Sequence, residues 1–329
     1  MIGRVHIPDK VRDLILADIP VQLRRTGYPL NWILEWFGIK RSVYYDWLRC
    51  LKEPAQGPPA TSPAAVRINE ITPEEEQKVV EYRRKQPDVG YRKLTWMMVD
   101  EDVAFLSESS VYNILSAHGM LYGWARPDSE GAEKEYRHKP KYPHHHWHTD
   151  IAYIKIRNVF YFLIMLLDGY SRFLLDWELM TDMTGHSVEL FIQRAKEKYP
   201  HAHPMLIHDN GSQFISHDFK RLVTRLEIQS VPTRRNHPET NGKMERMNKT
   251  VKSEAIRPNS PFSYAEAEEI LNEYGYQYNY QRLHAGINYL RPADMFFERG
   301  NKVLRERNQK MLLGRELRKQ VNLERKITA

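Results

Sequence analysis

Asp150, Asp209 and Glu245 are the residues whose types and placement could do chemistry. Local sequence puts the first on a predicted strand, the second just past the end of a later strand, and the third inside a predicted helix. Cutting or exchanging a phosphodiester needs an activated oxygen nucleophile and stabilisation of charge on the leaving oxygen. Two Mg²⁺ ions about 3.5–4 Å apart do both. Such hard ions take oxygen ligands and leave room for water and phosphate. One carboxylate bridging the ions, with another flanking each, is the smallest protein cage for that work. A chain with 42 acidic residues also offers such a triple by accident, so spacing alone leaves both readings open.

The elements that must position these carboxylates are legible from about Trp147. Ile151 to Ile156 alternates loosely, and Val159 to Leu167 is a continuous apolar run suited to a central strand. Arg172 to Leu179 reads as a third strand after the Asp168-Gly169 turn. A helix is predicted over Gly185 to Lys198, a strand over Met205 to His208, a helix over His217 to Leu226 and a strand over Ile228 to Val231. The helix carrying Glu245 begins after Pro238 and runs to about Glu254, with Lys249 and Lys252 on the face of Glu245. The pattern is a mixed α/β domain with an antiparallel edge and helical crossovers.

Upstream the chain reads as helical. Lys10 to Leu51 carries apolar faces, and Leu30 to Leu48 has a helix-turn-helix pattern, with Gly38 at the break and Ser42 as N-cap of a helix over Val43 to Arg49. A linker follows, Glu53 to Thr72, holding four prolines. Thr72 and Pro73 then open a helix that ends near Gln86. Gly90 opens another to about Asp100, and Ser107 to Ser110 a third reaching Gly119. Three such helices suit a second helix-turn-helix domain with the last helix reading a DNA groove, or a small bundle without DNA contact. Tyr122 to Pro143 is polar and proline-bearing, a second linker. The organisation expected is thus 1–52, linker 53–72, 73–122, linker 123–145, core 146–298 and a helical tail 299–329.

Composition narrows the partners. Of 329 residues 41% are hydrophobic, enough for a sizeable core. The net charge is +7, and residues 301–329 alone hold nine bases against three acids. That favours a polyanionic partner, or simply a solvated tail. A single cysteine, Cys50, excludes an internal disulfide and any zinc site with two thiolates, and suits a reducing compartment. The longest apolar run, nine residues, falls short of a membrane span, and the start of the chain lacks a signal-peptide hydrophobic block. A cytoplasmic protein is expected.

The segments WHTDIAYI, IHDNGSQF and RRNHPETNGKMERMNKTVKSE, with 35 residues between Asp209 and Glu245, together with YNYQRLHAGINYLRPADMF, resemble the DDE transposases of bacterial insertion sequences and their retroviral integrase relatives. The resemblance spans about Tyr91 to Phe296. It implies an RNase H-like catalytic core, a mixed five-stranded sheet with helices, preceded by all-α helix-turn-helix DNA-binding domains. It also implies that Asp150, Asp209 and Glu245 ligate two Mg²⁺ or Mn²⁺ ions for DNA cleavage and strand transfer. The DNA would be double-stranded, comprising the terminal inverted repeats of a mobile element and a target, and the protein a homo-oligomer on it. Lys249 and Lys252 would hold the end DNA. Lys243, Arg246, Arg234 and Arg235 join them as candidate phosphate contacts, in a stretch, Arg234 to Arg257, with seven bases and three acids.

By the same resemblance Asp168 is a turn residue, and Asn210 and Gly211 shape the loop beside the second ligand. Two departures from the family pattern, Ala152 and His208, remove no ligand. The leucine-rich coiled coil usual after the first helix-turn-helix is replaced by the proline-bearing linker. Other constellations point elsewhere more weakly. His144, His145, His146 and His148 could bind a transition metal. Tyr280 with Arg282 and His284 hints at a tyrosine nucleophile, though packing explains it better. There is no GxxxxGK[ST] loop for ATP. The functional alternatives are an inert DNA-binding regulator derived from a transposase, and a nuclease that cuts without joining.

Overall fold

The computed structural model describes residues 9–52, 68–121, 139–233 and 242–328. The chain divides into two compact units, Met1–Arg67 and Ile68–Ala329. In the first, α1 (Asp9–Thr26), α2 (Leu30–Trp36) and α3 (Arg41–Lys52) close around Leu16, Ile19, Ile33, Leu34 and Tyr44. Gly38 breaks α2 from α3 at φ +65°, a left-handed backbone that glycine adopts without a Cβ clash. The last helix starts at Arg41, so Ser42 lies inside its first turn rather than capping it.

The second unit opens with α4 (Pro73–Lys85), α5 (Tyr91–Asp100) and α6 (Glu108–Ala117). Thr72 and Glu75 form a reciprocal capping box at α4, with Pro73 in its first turn. Ser107 caps α6 by accepting from the Ser110 amide. Val79, Leu94, Met98, Leu106, Val111 and Leu115 make the core of this three-helix layer.

The sheet comprises β1 (His146–Ile156), β2 (Val159–Asp168), β3 (Leu174–Met180), β4 (Met205–His208) and β5 (Gln229–Pro232), in the order β3-β2-β1-β4-β5. The first three strands pair antiparallel, and β1, β4 and β5 pair parallel. Between them lie α7 (Gly185–Lys198), α8 (Ser212–Ile215) and α9 (His217–Arg225). The continuous apolar run of β2 follows from burial on both faces. Ile164 and Leu166 face the layer of Phe191, Phe214 and Phe219, while Leu163, Met165 and Leu167 face Met244, Met247, Tyr274 and Tyr278. This is the RNase H-like sheet with helical flanks, preceded by helices, that the sequence predicts.

Two boundaries differ from expectation. The third strand begins at Leu174 rather than Arg172, because the Asp168 carboxylate accepts from Ser171 N and Oγ and holds a turn in which Arg172 is left-handed. The helix bearing Glu245 is not one regular helix to Glu254. It is α10 (Gly242–Val251), followed by a π-helical turn, Lys252–Ile256, and the short α11 (Arg257–Asn259). Lys252 therefore sits where the regular 3.6-residue pattern ends.

Behind the sheet runs α12 (Tyr264–Tyr280), then α13 (Pro292–Phe296) and the 29-residue α14 (Gly300–Thr328). Gly275 allows α12 to approach β3: a Cβ there would lie 2.5 Å from the Trp177 ring. Gly275→Ala is expected to destabilise the unit by about 1–3 kcal/mol through this overpacking. Urea titration checks it, and an unchanged midpoint would show that the indole swings aside freely.

The basic tail helix is not simply solvated. Arg307 pairs bidentately with Asp100 at 2.7 Å, and Arg318 with Glu75 at 2.8 Å. Asn322 donates to the carbonyls of Ile68 and Glu70. At Gly314 a Cβ would stand 2.5 Å from Cβ of Phe105, so α14 lies directly on the α5–α6 connection.

Candidate active site

Strand register brings the first two carboxylates together. β1 and β4 run parallel with His148 opposite Ile207, the last pair of their ladder, so Asp150 lies two residues beyond it on β1 and Asp209 two residues beyond it, just past β4, close enough for their charges to interact. On β1, Asp150 alternates with Ala152, Ile154 and Ile156, the face that meets α10 and α12. On α10, Met244, Met247 and Val251 are buried against that face. Asn248, on the same side of the helix, donates from Nδ2 to Asp150 Oδ2 at 2.9 Å.

The electrostatics record the crowding. Burial, then the like charge of Asp209 and more weakly that of Glu245, push the Asp150 carboxyl up to about 6 against hydrogen bonds from Ile151 N and Asn248 that favour its anion. Asp209 is held by its own loop. Its Oδ1 accepts from Gly211 N at 3.0 Å, and Asn210 Nδ2 donates to Thr233 O at 2.6 Å, so both residues shape the loop as expected. His208 is buried and stacks on Phe214. Its Nδ1 donates to Asp209 O at 2.6 Å, and its Nε2 accepts from Ser230 Oγ at 2.8 Å. That pattern suits a neutral ring, and burial lowers its pKa accordingly.

A raised folded pKa makes Asp150 a cost to stability near neutrality. The folded chain binds the proton more tightly than the unfolded chain. The stabilising contribution is therefore present below about pH 4 and lost as pH rises through 6. Asp150→Asn is expected to raise stability at pH 8 in chelator by on the order of 2 kcal/mol, with the gain shrinking toward pH 4. Denaturation at both pH values decides it, and a gain that does not depend on pH would contradict the crowding.

All three oxygen donors are of the hard type a divalent cation takes, and the repulsion at Asp150 is what such a cation would relieve. The fit lies in donor chemistry and charge. Among the described residues no group of three or more His, Cys, Asp or Glu is gathered as a ready metal cage. Glu245 is exposed on the first turn of α10 and acts on Asp150 less strongly than Asp209 does.

The remaining candidates separate. Arg246 and Lys249 are exposed on α10, while Lys243 and Lys252 are half-buried. Arg234 and Arg235 lie outside the described residues, as does most of each linker. The Asp168 carboxylate is fully buried and also accepts from His144 N, a turn staple as expected. His144 leaves the run to pack on Trp147, Tyr199 and Phe296, while His145, stacked on Tyr142, lies 4.4 Å ring to ring from His146, and His146 and His148 are buried on one face of β1 with rings 6.3 Å apart. Arg282 is gripped bidentately by Glu254 at 2.7 Å, and Tyr280 packs on Tyr276, which is the packing reading of that trio. Asn248 was not singled out by sequence. Its only signal is a position one helical turn after Glu245.

A five-stranded mixed sheet has one carboxylate inside β1, one just past the end of β4 and one on the covering helix, and sequence comparison identifies this region as an integrase core. The integrase core domain family matches residues 140–238, and a second integrase core domain family matches residues 226–292. Residues 140–292 of the chain thus carry the integrase core domain. Among relatives, the transposase for insertion sequence element IS904 of Lactococcus lactis is 30% identical over 161 residues, which are 48% of this chain and 63% of that protein. InsK, the transposase ascribed to insertion sequence element IS150 of Escherichia coli, is 21% identical over 285 residues, 82% of this chain and 94% of its own length. The simian T-cell lymphotropic virus intasome contains a chain 18% identical, matched over 67% of this chain and 74% of its own with a TM-score of 0.44. No described helix is long and apolar enough to cross a membrane.

Proposed function

We propose that this protein is a DNA transposase of the bacterial cytoplasm. In this reading its helical units bind the terminal inverted repeats of a mobile element, and its core cuts and joins DNA strands. The observation that carries it is the crowding of Asp150 by Asp209 and Glu245 inside an integrase-family core. These three carboxylates would hold Mg²⁺ or Mn²⁺, two ions per site, which when bound activate an oxygen nucleophile and neutralise the leaving oxygen. The protein's own part is to orient and to exclude. β1 and the Gly211 amide fix Asp150 and Asp209, and buried Met244 and Met247 seat α10. Arg246 and Lys249 present positive charge to a phosphate backbone, with Lys243, Lys252, Arg234 and Arg235 extending the basic stretch. Water attack would break a P–O3′ bond, freeing a 3′-OH and leaving a 5′-phosphate; that hydroxyl would then attack a second phosphodiester in line, displacing the target strand's own 3′-OH, with no covalent protein intermediate.

The test incubates the full chain with Mg²⁺ and a plasmid carrying the DNA that borders its gene. Strand ends bearing 3′-OH, and their joining to a second DNA, are the expected products. Cutting without joining of pre-cut ends would make it a nuclease, and binding without cutting a regulator. Either result overturns the proposal.

A further inference from the structure

The geometry points to Asn248 as the residue that positions Asp150 and sets α10 in register on the sheet, an inference that rests on the active-site reading above. Its Nδ2 donates to Oδ2 of Asp150 at 2.9 Å while Ile151 N donates to Oδ1 at 2.9 Å, so the carboxylate is held at both oxygens. The contact also fixes the amide, because the flipped orientation would set its oxygen against a carboxylate. As a result Asn248 Oδ1 is buried with no hydrogen-bond partner among the described residues. Folded chains rarely keep a buried acceptor unsatisfied without a reason, and holding Asp150 supplies one.

The residue type argues the same way. Lysine or arginine in this place would also grip Asp150, but would bring a positive charge to the oxygens that a divalent cation needs. Asparagine orients the carboxylate and leaves its charge available. Position adds a second effect. Asn248 follows Glu245 by three residues, so the two share a helix face. The hydrogen bond from Asn248 to Asp150, which ties α10 to β1, therefore also fixes where Glu245 stands relative to it. Asn248 thus acts through two carboxylates and touches neither DNA nor reacting atoms in this account.

The experiment compares the full chain with Asn248→Leu, of similar volume and without a donor, and Asn248→Ser, which keeps a shorter donor. Mn²⁺ affinity is read by electron paramagnetic resonance without DNA. Nicking of supercoiled plasmid is read as kcat and KM at saturating Mn²⁺, and plasmid binding is measured in chelator. Asn248→Leu is expected to lose about 10–100-fold in Mn²⁺ affinity and in kcat, with KM and chelator binding unchanged and partial recovery in Asn248→Ser. Mn²⁺ binding and kcat indistinguishable from the parent in Asn248→Leu overturn the inference. If that variant fails to fold, Asn248→Ser decides by the same readouts. Asp150→Asn run in parallel separates the levels: if it too is unchanged, the active-site reading itself fails. If it alone loses Mn²⁺ and nicking, only the role of Asn248 falls.

Discussion

Asp150→Asn and Glu245→Gln are each expected to lower divalent-cation-dependent strand cleavage by roughly 10²–10³-fold or more, the range lost when one preorganised electrostatic element is removed from an active site. Both substitutions keep shape while deleting one negative charge and exchanging one acceptor oxygen for a donor amide. They test charge rather than fold. Asp150 carries the larger burden, because burial and the charge of Asp209, just past β4, act on it more strongly than the charge of Glu245 on α10. DNA binding in chelator should survive both changes, since neither is a base. The measurement is a single-turnover nicking rate at saturating Mg²⁺ on the same plasmid, with a melting curve for each variant. Cleavage that persists in both variants would locate the chemistry elsewhere or expose a contaminating nuclease. Loss in Asp150→Asn alone would show that Glu245 stays apart from the other two during the reaction.

Arg307→Leu is expected to destabilise the second unit by about 3–5 kcal/mol, because removing one partner leaves a buried charge uncompensated. The side chain of Arg307 is 3% exposed and that of Asp100 16%. The guanidinium also donates to the carbonyls of Asn288 and Tyr289 and lies over the Trp96 ring. One residue thus joins α14, α5 and the connection that precedes α13. The double change Arg307→Leu with Asp100→Leu should recover a large part of the loss, since removing both charges removes the desolvation cost with the attraction. Urea unfolding of the three variants measures it. A single-variant loss below about 1 kcal/mol, the scale of an exposed pair, would mean that α14 rests on α5 only loosely.

What the sequence made legible was local or periodic. The helix Gly185–Lys198 and the strand Met205–His208 fall at the expected bounds, and the Thr72–Pro73–Glu75 signal becomes a capping box. Such signals are written within a few residues. Asp150 and Asp209 could be picked out because family motifs coincide there with a predicted strand and with the end of a later one. What stayed hidden depends on partners far along the chain. The left-handed Arg172 follows from the turn held by Asp168, and Arg307 meets an acid 207 positions upstream. Asn248 reaches back 98 positions to Asp150. The π-helical turn after α10 has no composition cue, and its regular pattern of basic residues predicts an unbroken helix. The histidine run reads as one cluster in sequence, and the rings of His145, His146 and His148 do stay near one another, whereas the turn before β1 sends His144 onto Trp147, Tyr199 and Phe296.

The hydrogen bonds from Asn322 to Ile68 and Glu70 have a consequence for biosynthesis. They join the last turns of the second unit to its first residues. A nascent chain can form the sheet and seat α10 while translation continues, but α4–α6 stay without their cover until α14 has been synthesised. A premature stop inside α14 would leave a protein whose carboxylates are present but whose helical layer lacks its seal.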